Sequence, residues 1–336
     1  MKPILKPVGE QVIVITGASS GIGLVTARLA AERGAGVVLA ARNEHDVARS
    51  ARDIVAQGGR ATFCAADVSI PDDVTRIAQV ALAYFGGIDT WVNNAAVAVY
   101  GTLREVPLRD MRQQFDINFW GQVYGSLTAI PHLATRGGAL INVASALSDR
   151  AIPLQGIYCA AKHALKAFTD SLRMELEADG VPISVTLVKP GSIDTPLFQK
   201  ARSYIGVEPQ PVPPVFAPDV AAQVILDCAE RPRRDVIVGG MGKVLSLGNA
   251  VPRVADRYME RTTFDAQRSD IPLADSRPDN LYKPVPNDGG ERGSNWSGRV
   301  ARRSLYTAAV LHPMKALALT GSAGVAALAA AIRRRA

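Results

Sequence analysis

An unbroken apolar run, Val12-Ile13-Val14-Ile15, leads into Thr16-Gly17-Ala18-Ser19-Ser20-Gly21-Ile22-Gly23 and then at once into Leu24-Val25-Thr26-Ala27-Arg28-Leu29-Ala30. A continuous apolar run suits a strand covered on both faces, and the residues after the glycines follow a helical pattern. Glycines allow backbone N–H groups to approach a pyrophosphate, and the following helix N-terminus adds partial positive charge. A glycine triplet alone also marks ordinary turns. Here the strand before it and the helix after it supply the required context. The segment therefore predicts the opening of a dinucleotide-binding unit, with Gly17, Ser19, Ser20, Gly21, Ile22 and Gly23 as its phosphate turn.

Strands continue to alternate with helices as far as about residue 239, which predicts a parallel sheet covered on both faces. The second strand, Gly36-Val37-Val38-Leu39-Ala40-Ala41, ends in Arg42. Sites that prefer NAD place an acidic residue near that point to hold the adenosine ribose. Without the carboxylate, a 2′-phosphate meets no repulsion and a guanidinium can grip it in a forked, charge-assisted way. The expected cofactor is NADP(H) in preference to NAD(H); otherwise Arg42 merely begins the next solvated helix. The third strand ends in Asp67-Val68, placed to cap a helix or to meet the adenine edge. The fourth ends in Asn93-Asn94, residues that could serve as turn formers but stand where the crevice closes.

Tyr158 and Lys162 lie four residues apart, thirteen residues after Ser145. Positions i and i+4 share a helical face, so the phenol and the ammonium can point into one cleft. A free tyrosine keeps its proton to about pH 10, and a nearby cation favours the phenolate. Such a tyrosine can exchange a proton with a carbonyl or carbinol oxygen. A bare Tyr-x-x-x-Lys also arises by chance, and its weight comes from the glycine turn upstream.

Taken together, Thr16-Gly17-x-x-x-Gly21-x-Gly23, Asn93-Asn94-Ala95-Ala96, Asn118, Ser145, Tyr158-x-x-x-Lys162 and Pro190-Gly191-x-x-x-Thr195 resemble the short-chain dehydrogenase/reductase family, in its compact branch. The resemblance covers residues 12–239. It departs from the family pattern at Ala96, where glycine is usual, and at Ala144, where a serine often precedes Ser145. It implies a single Rossmann-type doubly wound α/β sheet and an oxidoreductase acting on CH–OH donors. Tyr158 would pass the proton and Ser145 would fix the substrate oxygen. Lys162 would bind the nicotinamide ribose and lower the Tyr158 pKa, and Asn118 would hold a water linking Lys162 to solvent. Pro190, Gly191, Ile193 and Thr195 would wrap the nicotinamide end, with Asn94 and Val68 also on the cofactor. It further implies a homodimer or homotetramer through the helices near residues 108–134 and 157–179. No metal site is expected.

The chain divides into a catalytic domain over residues 1–240, an extension and polar linker over 241–298, and a basic, alanine-rich tail over 299–336. Residues 195–218 follow the cofactor turn and are stiffened by prolines, which predicts a substrate lid. Phe198, Tyr204, Val212, Val215 and Phe216 would give it an apolar inner surface, suited to a lipophilic carbonyl or alcohol; alternatively the lid packs on its own core. Residues 241–263 have helical spacing broken at Pro252, and residues 265–295 read as a mobile linker. Three cysteines form no paired framework, and the N-terminus reads as too short for a secretory leader, which together point to a cytoplasmic setting.

The net charge of +7 is matched by the seven basic residues from Arg299 onward, a stretch without acids. The catalytic body is therefore neutral and carries no electrostatic footprint for nucleic acid. Residues 316–332 are uncharged, but seventeen residues fall short of the ~20 that span a bilayer. The tail, residues 304–336, reads as a short membrane anchor, a helix on an anionic surface, or a helix packed on the body or a partner subunit. Two further functions stand beside the dehydrogenase reading. One is a non-catalytic dinucleotide-binding module working through the tail, which the intact Tyr158 and Lys162 disfavour. The other is an isomerase or dehydratase, which the glycine spacing and simple lid disfavour.

Overall fold

The computed structural model describes residues 3–274, 276–287 and 289–314. Strand β1 (Val12–Thr16) is buried along its whole length, as its apolar sequence requires. It sits within a seven-stranded sheet with β2 (Gly36–Ala41), β3 (Arg60–Ala65), β4 (Thr90–Asn93), β5 (Gly138–Val143), β6 (Ile183–Pro190) and β7 (Asp235–Val238). All pairings are parallel, in the order β7-β6-β5-β4-β1-β2-β3. The strand order reverses between β1 and β4, so a crevice opens beyond their carboxyl ends. This is the doubly wound α/β sheet that the alternation predicts.

Alternate side chains feed two cores. Ile13, Ile15, Val37, Leu39, Val92 and Ile141 face a layer that includes helices α1 (Gly21–Glu32), α2 (Glu44–Ala56) and α7 (Pro218–Glu230). Val14, Val38, Trp91 and Leu140 face the other, with α3 (Pro71–Phe85), α5 (Gly121–Ala134) and α6 (Gly156–Ala178). Burying each of the larger of these side chains contributes about 1.5–3 kcal/mol. Between α3 and α5, α4 (Leu108–Phe115) runs into a π-helical turn, Asp116–Trp120. Helix α3 opens on Pro71, whose missing N–H costs nothing there, and stops at Gly86 with φ 78°.

The chain beyond β7 differs from the expected linker. Helices α8 (Met241–Leu247) and α9 (Pro252–Ala266) fold back on the body, Pro252 serving as the first residue of α9. A strand, Arg268–Pro272, then pairs antiparallel with Val207–Pro209. Residues 276–287 and 289–301 cross the catalytic body, and Val300–Ala301 pairs with Val215–Phe216. Composition misled here: the stretch is polar, but its polar groups are spent on the body. Leu281 is fully buried, and Arg277 donates to the carbonyls of Ala201 at 2.8 Å, Phe198 at 2.9 Å and Gln199. Helix α10 (Leu305–Leu311), capped by Ser304, packs on α7 and β7, with Thr307 Oγ1 accepting from Gly239 N at 3.0 Å. The start of the tail is therefore docked on the body; residues 315–336 lie outside the described residues. Among the described residues no helix is long and apolar enough to cross a membrane.

A buried polar cluster ties the layers beneath the crevice. Asn93 Oδ1 accepts from Trp91 Nε1 at 2.8 Å, and its Nδ2 donates to Asn142 Oδ1 at 2.9 Å and Ser126 Oγ at 3.1 Å. Asn142 in turn donates to Thr169 Oγ1 on α6 at 3.0 Å. Asn93→Leu leaves several of these groups buried without partners, and each such group costs about 1–3 kcal/mol. Denaturant unfolding should show a loss of about 3 kcal/mol; a loss below about 1 kcal/mol would show that the cluster is not needed for stability.

Candidate active site

The phosphate turn is drawn tight against the fourth strand. Gly17 has φ 67°, and a Cβ there would fall 2.7 Å from Ala95 Cα; a Cβ on Gly23 would fall 2.4 Å from Gly17 O. Asn94 secures the turn, donating from Nδ2 to Thr16 O at 3.0 Å and Gly17 O at 3.3 Å. The Gly21 N–H at the start of α1 donates to a carbonyl oxygen, that of Gly290, at 2.8 Å. Lys200 Nζ reaches Ser20 Oγ at 2.9 Å, which brings a cation beside the turn. Close backbone, an outward N–H and a nearby cation make a donor set that fits a dinucleotide diphosphate. Further along, Arg42 donates to Leu281 O at 3.3 Å and to Asn280 O, and lies 3.7 Å from Asp67.

One cavity of about 490 Å³ runs from this turn past the ends of β4, β5 and β6. Of the predicted catalytic and cofactor-binding residues, all but Gly23 and Asn118 line it. Gly23 lies beneath the turn. Asn118, within the π-helical turn, accepts from Val97 N and donates to Val97 O, both at 2.9 Å, so its side chain fixes the Val97 segment of the wall.

Tyr158 and Lys162 lie one turn apart on α6, with the Lys162 amine 5.7 Å from the centre of the Tyr158 ring. Ser145 follows β5 and starts a short turn, its Oγ accepting from Leu147 N at 3.1 Å. Burial pushes the Tyr158 phenol up to about 12, against a downward pull from the nearby Ser145 hydroxyl. Lys162 is itself buried, its amine donating to Val143 O at 2.9 Å, and desolvation brings it down to about 7. A lysine whose folded value lies below its ordinary 10.5 takes up protons on unfolding between about pH 7 and that value. Its burial therefore costs stability most below about pH 7, and that cost fades as the pH rises. Neighbouring groups play no such part: His163 Nδ1 pairs with Cys159 O at 2.8 Å, and burial raises the Cys159 thiol to about 11.

The family profile described as short chain dehydrogenase matches residues 11–205. An uncharacterized oxidoreductase, YxnA of Bacillus subtilis (strain 168), is 45% identical over 98% of this chain and 93% of its own length. The chain belongs to the short-chain dehydrogenase family. It is thus an NAD(P)-dependent oxidoreductase. The 1-deoxy-11-beta-hydroxypentalenate dehydrogenase of Streptomyces arenae is 39% identical over 55% of this chain and 68% of its own length. The fold is shared with an alcohol dehydrogenase from Thermococcus sibiricus solved with 5-hydroxy-NADP, at a TM-score of 0.60 and 24% identity, over 68% of this chain and 95% of that one.

In this short-chain dehydrogenase the far wall of the cavity comes from the C-terminal extension, to which the sequence reading gave no role. Met241 and Leu245 from α8 face it, as do Tyr258, Met259, Thr262 and Thr263 from α9. The spacing 258, 259, 262, 263 marks one helical face, a signal visible in the sequence. Of the expected lid surface, Phe198, Val212 and Phe216 line the cavity, whereas Tyr204 and Val215 do not. The Tyr204 hydroxyl donates to Asp110, and Val215 is buried in a small parallel ladder. Asp110 also accepts from Arg202 at 3.1 Å and from Tyr282 at 2.8 Å, joining lid, crossing segment and α4. These hydrogen bonds hold its carboxyl below the usual range against the upward pull of burial.

Arg277, its side chain 10% exposed, is a further tie between that crossing segment and residues 198–201. Arg277→Ala removes the shared donor from three carbonyls. Urea unfolding should show a loss of about 2–3 kcal/mol, and a change under about 0.5 kcal/mol would contradict this role.

Proposed function

We propose that this dehydrogenase interconverts a lipophilic secondary alcohol and its ketone using NADP(H), with Tyr158 as the proton donor and acceptor. The observation that carries the reading is that Ser145, Tyr158 and Lys162 line one cavity, with Lys162 one turn beyond Tyr158 on the same helix and its amine 5.7 Å from the phenol ring centre. In the reducing direction the Tyr158 hydroxyl gives its proton to the substrate oxygen, and solvent returns it. Ser145 donates to the same oxygen and holds it at the phenol. Lys162 donates to the ribose hydroxyls and, when protonated, favours the phenolate. The nucleotide, when bound, supplies or removes the hydride at the carbon.

NADP(H) preference is supported by Arg42 on the cavity wall at the end of β2, where no acid occupies the position. A lipophilic substrate is supported by the Phe198, Met241, Leu245 and Met259 side of the cavity, and by the relative named 1-deoxy-11-beta-hydroxypentalenate dehydrogenase. Leu127 and Met174, 54% and 61% exposed on α5 and α6, support a homodimer or homotetramer. The membrane contact expected of the tail now rests on residues 315–336, since α10 is docked. The non-catalytic alternative is not favoured.

The test follows NADPH absorbance with aromatic and alicyclic ketones. Tyr158→Phe should lower kcat at least a hundredfold, within the range attributed to general acid catalysis. Arg42→Asp should shift the NADPH-to-NADH preference toward NADH by about tenfold or more. Full-rate turnover in Tyr158→Phe would refute the proton role, and an unchanged cofactor ratio would refute the phosphate role.

A further inference from the structure

The catalytic groups account for one substrate oxygen, and a glutamine pair on the cavity wall points to another. Gln267, fully buried at the end of α9, donates from Nε2 to Thr263 O at 2.7 Å and to Pro153 O at 3.0 Å. A carboxamide nitrogen has two hydrogens, so both are spent on carbonyls that can only accept. The orientation of Gln267 is thereby settled, and its Oε1 must receive a donor. Gln155 Nε2 supplies it at 2.7 Å. Gln155 is in turn oriented, with its own Oε1 directed away from Gln267.

Among the described residues no group donates to Gln155 Oε1, and it is not one of the sealed interior atoms. The residue is 8% exposed, lines the cavity and immediately precedes α6, three positions before Tyr158. Ile152, Leu245 and Met259 pack together and line the same cavity, giving it an apolar wall. A fixed acceptor on an apolar wall selects ligands by the donor they bring, because a ligand without one leaves the oxygen desolvated and unpaired.

We infer that Gln155 reads a second hydroxyl on the substrate, separate from the oxygen that reacts, and that Gln267 is the positioning residue that aims it. The substrate class is then an apolar, alicyclic skeleton bearing a hydroxyl besides its carbonyl, which becomes a diol on reduction. This rests on the oxidoreductase reading above. The chemistry at the carbonyl is unchanged, and Gln155 takes no part in proton or hydride movement.

The experiment compares alicyclic hydroxyketones, varied in the placement of the hydroxyl, with deoxy and O-methyl counterparts of the same skeletons. With NADPH, wild type should favour at least one hydroxyketone over both counterparts by about tenfold or more in kcat/KM. Gln155→Met should bring that ratio to within about threefold, and Gln267→Met should do the same although it touches no ligand. Dissociation constants by calorimetry, on nucleotide-loaded protein carrying Tyr158→Phe, should show the same preference and its loss when Gln155→Met is added. Gln155→Met keeps the test decisive should Gln267→Met fold poorly. Absence of discrimination throughout the series, or a ratio that survives Gln155→Met, would overturn the inference. In that event, Tyr158-dependent reduction of the deoxyketones would leave the oxidoreductase reading standing. Reduction indifferent to Tyr158→Phe would instead remove the proton mechanism itself.

Discussion

The Lys162 amine lies out of water and donates to one main-chain oxygen, that of Val143 at the end of β5. An ammonium has three hydrogens, so a single acceptor leaves it under-satisfied and favours loss of its proton. The remaining donors can be answered only from the cavity, where a sugar hydroxyl would serve. The same contact pins α6 to β5, and so fixes the height at which Tyr158, one turn earlier, meets the cavity. Ser145, two residues beyond Val143, is set by that strand end. Tyr158, Ser145 and Lys162 thus share one point of attachment.

The helix carrying these groups is also held along its length. Arg173 Nε donates to Val185 O at 2.9 Å, and Thr169 accepts from Asn142. Such attachments resist sliding or rotation, and positioning of this kind supplies much of catalysis. The proposed substrate wall is built elsewhere, on residues within 195–218 and on α8 and α9, which line the same cavity. Chemistry on the sheet and recognition on later additions is a division that lets one platform serve many substrates.

Much of the platform was legible in the sequence because its requirements are local. The run Val12–Thr16 can only be a covered strand, and Gly17 and Gly23 sit where a side chain would strike main chain. Tyr158 and Lys162 announce a shared helical face by spacing alone. What was not legible depends on partners distant in sequence. Arg277 and Leu281 look like linker residues until the carbonyls of the lid and the surface under Leu281 are known. Tyr204 looked like a lid aromatic, but Asp110 claims its hydroxyl. The sequence reading took Lys162 as charged, whereas burial, invisible in a spacing, lowers its pKa.

The most direct test follows the protonation of the Lys162 amine by side-chain carbon NMR on lysine-labelled protein without nucleotide, with Lys162→Met identifying the signal. The account expects a titration midpoint near pH 7, well below the ordinary lysine value of 10.5. A midpoint near 10 would show a solvated, permanently charged amine and would contradict the buried constellation on which the proposed chemistry depends.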